Sequence, residues 1–125
     1  MTYQNLYIAR TEESPEFSYS TDSCLIKISG RSLLENPFVY YSEVLEWMKS
    51  FVDQLDFPVT IEIFLDYFNS SSGRYLLEFL MVAEQKSHLF DVRWLVESDD
   101  EVMLEKGNEF KYILSMPMKM VMVDQ

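Results

Sequence analysis

The hydrophobic and polar positions of this chain follow two patterns in turn, one typical of strands and one typical of helices. Short apolar runs bounded by turn residues predict strands. These runs cover residues 6–9, 17–20, 24–28, 59–65, 90–96 and 110–116. Only a short turn separates the second run from the third, which predicts an antiparallel hairpin. Residues 29–32, which include Gly30, are expected to end the third strand.

Two longer segments repeat their apolar residues with the period of a helix. In the first, steps of three and four residues are made by Tyr41, Val44, Met48, Phe51 and Leu55. Asn36 and Pro37 stand before it as a cap and a first helical residue. In the second, the helical spacing is made by Leu76, Phe79, Leu80 and Ala83. Both stripes predict helices that bury one face in a core.

The C-terminal part of the chain predicts one short helix and a methionine-rich tail. Ser98 and Glu101 have the spacing of a capping box, so a helix is expected to begin there. Gly107 suits the position just after a helix, which predicts an end near Lys106. Methionine alternates with other residues over 116–123. That alternation fits an edge strand, a methionine-rich docking surface or copper(I) binding by thioethers.

The order of these elements is strand, hairpin, helix, strand, helix, strand, helix, strand. Strands that alternate with helices imply right-handed crossovers and a sheet covered by helices. We therefore predict an α/β (α+β) fold, in which about three helices pack against a mixed sheet. The chain of 125 residues is expected to form a single domain over 1–125.

Composition argues against several classes of partner and location. The net charge of −11, from 21 acidic and 10 basic residues, disfavours nucleic acid and anionic membranes as partners. The single cysteine, Cys24, cannot form an internal disulfide and is expected to be a small core residue. The sequence shows neither a long apolar span nor a secretory signal at its start. A cytoplasmic location is therefore expected.

The residues expected for catalysis are missing from the sequence, so we predict no enzymatic activity and no cofactor. There is no glycine-rich phosphate motif, and the one histidine, His88, lies near a predicted helix end. The alternative is a small metal-dependent enzyme or metal-binding protein that uses Asp99, Asp100 and Glu101 to hold Mg²⁺ or Ca²⁺. These acids also suit a helix start without metal, or a docking face for a basic partner.

Three consecutive serines, Ser70, Ser71 and Ser72, lie between a predicted buried strand and a predicted amphipathic helix. The N-terminus of a helix exposes unpaired N–H groups and the positive end of the helix dipole. It therefore favours a bound or covalently attached phosphate. Asn69 or Ser70 is also a suitable helix cap, and the two roles are compatible because a capping serine keeps an accessible hydroxyl.

Three segments of the chain resemble motifs of one known family. Residues 67–72 read Tyr-Phe-Asn-Ser-Ser-Ser, and 30–36, followed by 40–47, resembles a Gly-x-Ser-x-Pro-Glu-Asn segment and its helix. Residues 93–107 resemble Trp-Tyr-Tyr-Glu-x-Asp-Asp-Glu-x-Met-x-Glu-x-Gly. In these three motifs the chain is similar to the SiaC-type bacterial regulatory phosphoproteins. It departs from the pattern at Leu34, at Leu95-Val96 and in carrying serine at position 70.

The resemblance implies a STAS-like module of the anti-sigma-factor-antagonist type, working in a partner-switching system. By position Ser70 would be phosphorylated, with Ser71 and Ser72 the next candidates. The implied partners are a kinase with a histidine-kinase-like ATPase fold, a metal-dependent phosphatase and an output enzyme such as a diguanylate cyclase of c-di-GMP signalling. The expected partner-binding residues are Phe68, Asn69, Ser70, Ser71, Arg74, Asp99, Asp100 and Glu101. The remaining alternative is a constitutive protein-binding module whose serines only cap.

Overall fold

The computed structural model describes residues 5–124. Its strands are β1 (Leu6–Ile8), β2 (Glu16–Ser20), β3 (Leu25–Ser32), β4 (Val59–Phe68), β5 (Phe90–Glu97) and β6 (Met118–Val123). Its helices are α1 (Pro37–Gln54), α2 (Ser70–Glu84) and α3 (Glu101–Ile113), and a short 3₁₀ turn, Ser87–Leu89, joins α2 to β5. Within these residues the elements follow the predicted order. None of the helices in this part of the chain is long and apolar enough to cross a membrane.

The strands form one sheet in chain order, from β1 at one edge to β6 at the other. The first three strands pair antiparallel, and β3, β4, β5 and β6 pair parallel. Right-handed crossovers that always advance in the same direction place their helices on one face of the sheet. The predicted mixed sheet with three helices packed against it is confirmed for the part of the chain that the structure describes.

The core lies between this face and the helices. Alternate residues of β4 point into it, because side chains along a strand alternate between faces. Val59, Ile61, Ile63 and Leu65 are accordingly buried, as are the apolar residues predicted for α1 and α2. On the opposite face, one row across the parallel strands carries charged residues: Lys27, Glu62, Arg93 and Lys119. The face of the sheet away from the helices therefore carries a row of charged residues across its parallel strands.

The predicted end of β3 at residues 29–32 is wrong, because the strand passes through this segment to Ser32. A register shift between Gly30 and Arg31 marks a bulge, and Gly30 has a φ of +112°, which residues with a side chain rarely adopt. Beyond the bulge, Ser32 pairs with Phe68, so β4 also extends past its predicted end at Leu65. The bulge thus allows both strands to reach the serine turn.

The prediction that Cys24 is a core residue is wrong. It lies in the turn between β2 and β3, with a φ of 51° and a half-buried side chain. Its Sγ lies 3.7 Å from the carbonyl oxygen of Thr21. The thiol therefore belongs to a polar turn and not to the apolar strand that follows it.

The predictions for α3 and the last strand are wrong in their boundaries. Gly107 does not end the helix, which continues to Ile113. A Cβ at Gly107 would lie 2.6 Å from both Met120 Cε and Trp94 Nε1, so this glycine is required for close packing. Phe110, predicted to begin the last strand, lies in α3 with its ring 5.3 Å from that of Trp94. The strand begins only at Met118, which makes the methionine-rich tail an edge strand.

Candidate functional site

The serine turn lies at the carboxyl end of β4, which is flanked by β3 and β5 in the sheet. β4 ends at Phe68, Asn69 is the cap of α2, and Ser70 is the first residue of the helix. Because β5 runs parallel to β4, it ends at the same edge of the sheet, and α3 begins shortly after that end. Parallel strands present their ligand-binding and functional residues at this carboxyl edge.

Asn69 fixes the turn through both ends of its side chain. Its Oδ1 accepts a hydrogen bond of 2.9 Å from the backbone N–H of Ser72, and its Nδ2 donates one of 3.1 Å to the carbonyl of Leu34. Its own backbone N–H donates to the carbonyl of Ser32 at 3.0 Å. Of the two predicted caps, Asn69 therefore fills the role, and the hydroxyl of Ser70 is not needed for it.

The three serines have different environments. Ser70 and Ser71 are exposed, and neither hydroxyl takes part in a hydrogen bond with another residue in 5–124. Ser72 has no exposed surface, and its Oγ accepts a hydrogen bond of 2.7 Å from Ser32 Oγ. A kinase can therefore reach the first two hydroxyls in the folded protein, whereas Ser72 belongs to the core.

A buried chain of hydroxyl groups ties the turn to α1. Ser32 Oγ is hydrogen-bonded to Ser72 Oγ and lies 2.7 Å from the hydroxyl of Tyr41. Burial raises the pKa of Tyr41 to about 12, against the opposing effect of the hydrogen bonds with Ser32 and Ser72, so the phenol stays neutral. The Tyr41 ring also stacks on Tyr75 of α2, with centroids 5.5 Å apart. The sheet, α1 and α2 are thus joined directly beneath the serines.

Lys106 of α3 approaches the turn from the other side. Its Nζ donates a hydrogen bond of 3.3 Å to the carbonyl of Phe68 and lies 4.8 Å from the ring centroid of Tyr67 and 4.6 Å from that of Phe68. The Phe68 side chain is only 3% exposed and packs against Trp94 and Phe110. Phe68, predicted to bind a partner, therefore supports the turn from inside the core.

Apolar side chains are exposed at the start of two helices and at the end of β4. Phe38 in the first turn of α1 is 60% exposed, Tyr67 is 44% exposed, and Val102 in the first turn of α3 is 54% exposed. A shallow groove beside Ser71 is lined by Pro37, Ser71, Arg74, Tyr75 and Glu78. We call Phe38, Tyr67 and Val102, together with Ser70 and Ser71, the turn surface. All five residues lie at the carboxyl edge of the parallel strands, because each is in or directly after β4 or in the first turn of a helix that follows β3 or β5.

The predicted capping box at the start of α3 is wrong. The cap is Asp100, whose Oδ1 accepts a hydrogen bond of 3.1 Å from the backbone N–H of Met103, and Glu101 is the first helical residue. Asp99 and Glu101 are exposed, and Asp100 is half-buried. Within residues 5–124, no three acidic, histidine or cysteine side chains come together in an arrangement that could hold a metal. The structure therefore gives no support to a metal centre at these acids.

Sequence reasoning located the serine turn but missed Lys106, Phe38, Tyr67 and Val102. Lys106 meets Phe68 only through the fold, because 38 positions separate them in the chain. No local spacing indicates such a contact. Two positions in the sequence could have indicated exposed apolar residues near the turn. Phe38 follows the proline that begins a predicted helix, and Tyr67 stands at the end of a strand.

Two sequence comparisons bear on this chain. A family model described as SiaC family regulatory phosphoprotein matches residues 8–123. An uncharacterized protein of Pseudomonas aeruginosa strain UCBPP-PA14 is 24% identical over 116 residues, which cover 90% of this chain and 92% of that protein.

Solved structures share the fold. SiaC of Pseudomonas aeruginosa in complex with the diguanylate cyclase SiaD, which it activates, has a TM-score of 0.86 at 23% identity, covering 94% of this chain and 99% of that chain. SiaC of the same organism has a TM-score of 0.82 at 20% identity, with 98% of this chain and 99% of that chain covered. At these identities the likeness shows a common architecture.

Proposed function

Because the chain belongs to the SiaC family of regulatory phosphoproteins, we propose that reversible phosphorylation of Ser70 controls its binding to a partner enzyme. Family membership confirms the resemblance found in the three sequence motifs. The observation that carries the proposal is the exposed Ser70 hydroxyl in the first turn of α2, which forms no hydrogen bond with any other residue of 5–124. In this proposal the chain is a non-catalytic cytoplasmic regulator, with the whole of 1–125 acting as one regulatory domain.

The chemistry at Ser70 is a phosphoryl exchange. A kinase would transfer the γ-phosphoryl group of ATP to Ser70 Oγ, releasing ADP and the hydroxyl proton. A phosphatase would hydrolyse the ester and return the hydroxyl with free phosphate. We propose a kinase of the histidine-kinase-like ATPase fold and a metal-dependent phosphatase for these steps, as the family resemblance implies. The regulator itself then needs no catalytic group.

The turn surface supports a simple physical basis for switching. In the unmodified protein, Phe38, Tyr67 and Val102 offer exposed apolar area at the same edge of the sheet as the uncharged serine hydroxyls. Phosphorylation adds a charge of about −1.5 to −2 at Ser70. A partner that covers the surface would have to desolvate this dianion, which costs several kcal/mol when no cation of the partner meets it. The modified protein would therefore bind much more weakly.

For the partner we propose a diguanylate cyclase, by analogy with the complex that Pseudomonas aeruginosa SiaC forms with SiaD. Its binding site would comprise the turn surface with Asn69 and Arg74, and extend to Asp99, Asp100 and Glu101 at the start of α3. The two helix starts follow adjacent parallel strands, so one partner can contact both. The net charge of −11 supports a protein partner rather than nucleic acid or an anionic membrane.

The test is to phosphorylate the chain with its kinase and map the phosphate. We expect one phosphate by intact mass, located on Ser70 by peptide sequencing, and no modification of the Ser70→Ala variant. Ser71→Ala is the matched control, because it removes the neighbouring exposed hydroxyl. Absence of phosphate from Ser70, including the case in which only Ser71 carries it, would refute the proposal.

Binding of the partner is measured by calorimetry with the unmodified and the phosphorylated chain. We expect the unmodified chain and Ser70→Ala to bind equally well and the phosphorylated chain to bind at least tenfold more weakly. Equal affinity of both forms would favour a constitutive binding module, in which the serines have no regulatory role.

A further inference from the structure

We propose that Lys106 receives the phosphate when Ser70 is modified, and that its movement changes the environment of Tyr67 in the turn surface. This inference rests on the proposed function, because it concerns the phosphorylated form of Ser70. It assigns to a residue of α3 the task of sensing a modification at the start of α2.

The first argument is that Lys106 has no carboxylate partner among the described residues. The ion pairs found within residues 5–124 involve Arg10, Arg31, Arg93 and Lys119, and Lys106 is in none of them. Within the described residues, the half-buried ammonium group of Lys106 is therefore available to an added anion. In this part of the chain, the contacts of its charge are a neutral carbonyl and the faces of two aromatic rings.

The second argument is the position of the ammonium group. Its hydrogen bond goes to the carbonyl of Phe68, only two residues before Ser70. A phosphate on Ser70 would bring three strong acceptor oxygens to the same end of β4. Hydrogen bonds between an ammonium and an ionised oxygen are shorter and about twice as strong as those to a neutral carbonyl. The flexible lysine stem allows Nζ to exchange one partner for the other.

The third argument is the consequence for Tyr67. The Tyr67 ring is 44% exposed and lies under Nζ at 4.8 Å. When the ammonium turns to the phosphate, this cation–π contact is lost. The modification would therefore act on the turn surface twice, by adding negative charge and by altering one of its aromatic residues.

Arg74 is the competing receptor. It lies four residues after Ser70 on α2, on the same helix face, and is exposed. It also takes part in none of the ion pairs within the described residues. Capture of the phosphate by Arg74 would leave the contact between Lys106 and Tyr67 intact, so the two receptors make different predictions for the Tyr67 ring.

The experiment uses the full chain with phosphoserine installed at position 70 during translation, so that it does not depend on the kinase. The second pKa of phosphoserine, normally about 6, is followed by ³¹P NMR during a pH titration. A cation within reach should lower this pKa by on the order of one unit. We expect the Lys106→Met variant, which keeps an apolar stem against the rings, to bring the pKa back towards 6.

The matched controls are Lys111→Met, an exposed lysine later in the same helix, and Arg74→Met. The Lys111 variant should leave the phosphate pKa unchanged. The Tyr67 ring resonances should shift on phosphorylation in the wild-type chain and not in Lys106→Met. The assignment of Lys106 would be overturned if the phosphate pKa in Lys106→Met equalled that in the wild-type chain. It would also be overturned if only Arg74→Met brought that pKa back towards 6.

A failure of the Lys106 contact can be distinguished from a failure of the proposed function. If the kinase never modifies Ser70 while the installed phosphate still responds to Lys106, the proposed function fails and the contact is correct. If the kinase modifies Ser70 and binding is lost, but the Lys106 variant behaves as wild type, the switch is correct and its receptor lies elsewhere.

Discussion

Ser72 Oγ and Ser32 Oγ lie 2.7 Å apart in a place that solvent does not reach. This hydrogen bond joins the first turn of α2 to the last residue of β3, and Tyr41 extends it to α1. The third serine of the turn is therefore a structural residue, although the sequence presents it as equivalent to its two neighbours.

We expect Ser72→Ala to destabilise the protein by about 1–3 kcal/mol, because it removes the acceptor for Ser32 Oγ and leaves one buried hydroxyl donor of the Ser32–Tyr41 pair unsatisfied. The free energy of unfolding, from urea denaturation, measures the effect. The matched variant is Ser71→Ala, which removes an exposed hydroxyl and should change stability by less than about 0.5 kcal/mol. Equal effects of the two substitutions would contradict the role assigned to Ser72.

Asn69 is expected to be the main determinant of the turn. Asn69→Ala removes the cap of α2 and the hydrogen bond to Leu34, and should cost about 1–2 kcal/mol. Asn69→Asp keeps the acceptor for Ser72 N–H and loses the donor to Leu34, so an intermediate loss is expected. Hydrogen exchange of the Ser72 amide checks the cap directly. Unchanged protection in Asn69→Ala would show that the cap is dispensable.

Gly107→Ala tests the packing of α3 on the sheet. A helix interior normally favours alanine over glycine by about 1 kcal/mol. Here the added Cβ would collide with Trp94 and Met120, and overpacking of a core costs about 1–3 kcal/mol. We therefore expect net destabilisation and a changed Trp94 fluorescence spectrum. Asn108→Ala, at the neighbouring exposed position, serves as the control; a Gly107→Ala protein as stable as that control would refute the close approach.

The turn surface predicts which apolar residues bind the partner. Phe38→Ala and Tyr67→Ala should each weaken binding by about tenfold, as expected when an interface residue worth 1–2 kcal/mol is truncated. Their unfolding free energies should change little, because both side chains are exposed. Tyr112→Ala is the control, since Tyr112 is 92% exposed in the last turn of α3, away from the helix starts. Calorimetry that found Tyr112→Ala as damaging as Tyr67→Ala would move the interface elsewhere.

The sequence was sufficient to predict the order of elements and the position of the serine turn. Periodic apolar residues carry this information, and Tyr41, Met48 and Leu76 are buried as their spacing requires. The predicted end of α3 was wrong because a glycine in a sequence can indicate either the end of a helix or a position of close packing. The burial of Gly107 under Trp94 depends on a contact across the fold, which no local pattern contains.

The candidate site was predictable to a similar extent. Hydroxyl groups between a strand and a helix indicated the three serines, and the family resemblance pointed to Ser70 among them. The differences among the three serines depend on Ser32, which lies 40 positions from Ser72 in the chain. The contact of Lys106 with Tyr67 and Phe68 likewise arises only when α3 packs beside the end of β4.

The exposed ring of Tyr67 stands only three positions before Ser70, at the junction of β4 and α2. A protein seated on that ring would also shield the neighbouring hydroxyl from a kinase. A regulator molecule that is already bound to its target would then be protected from phosphorylation. Only unbound regulator molecules would be substrates of the kinase. Such mutual exclusion makes the amount of free target, as well as kinase activity, a determinant of how much of the regulator carries phosphate.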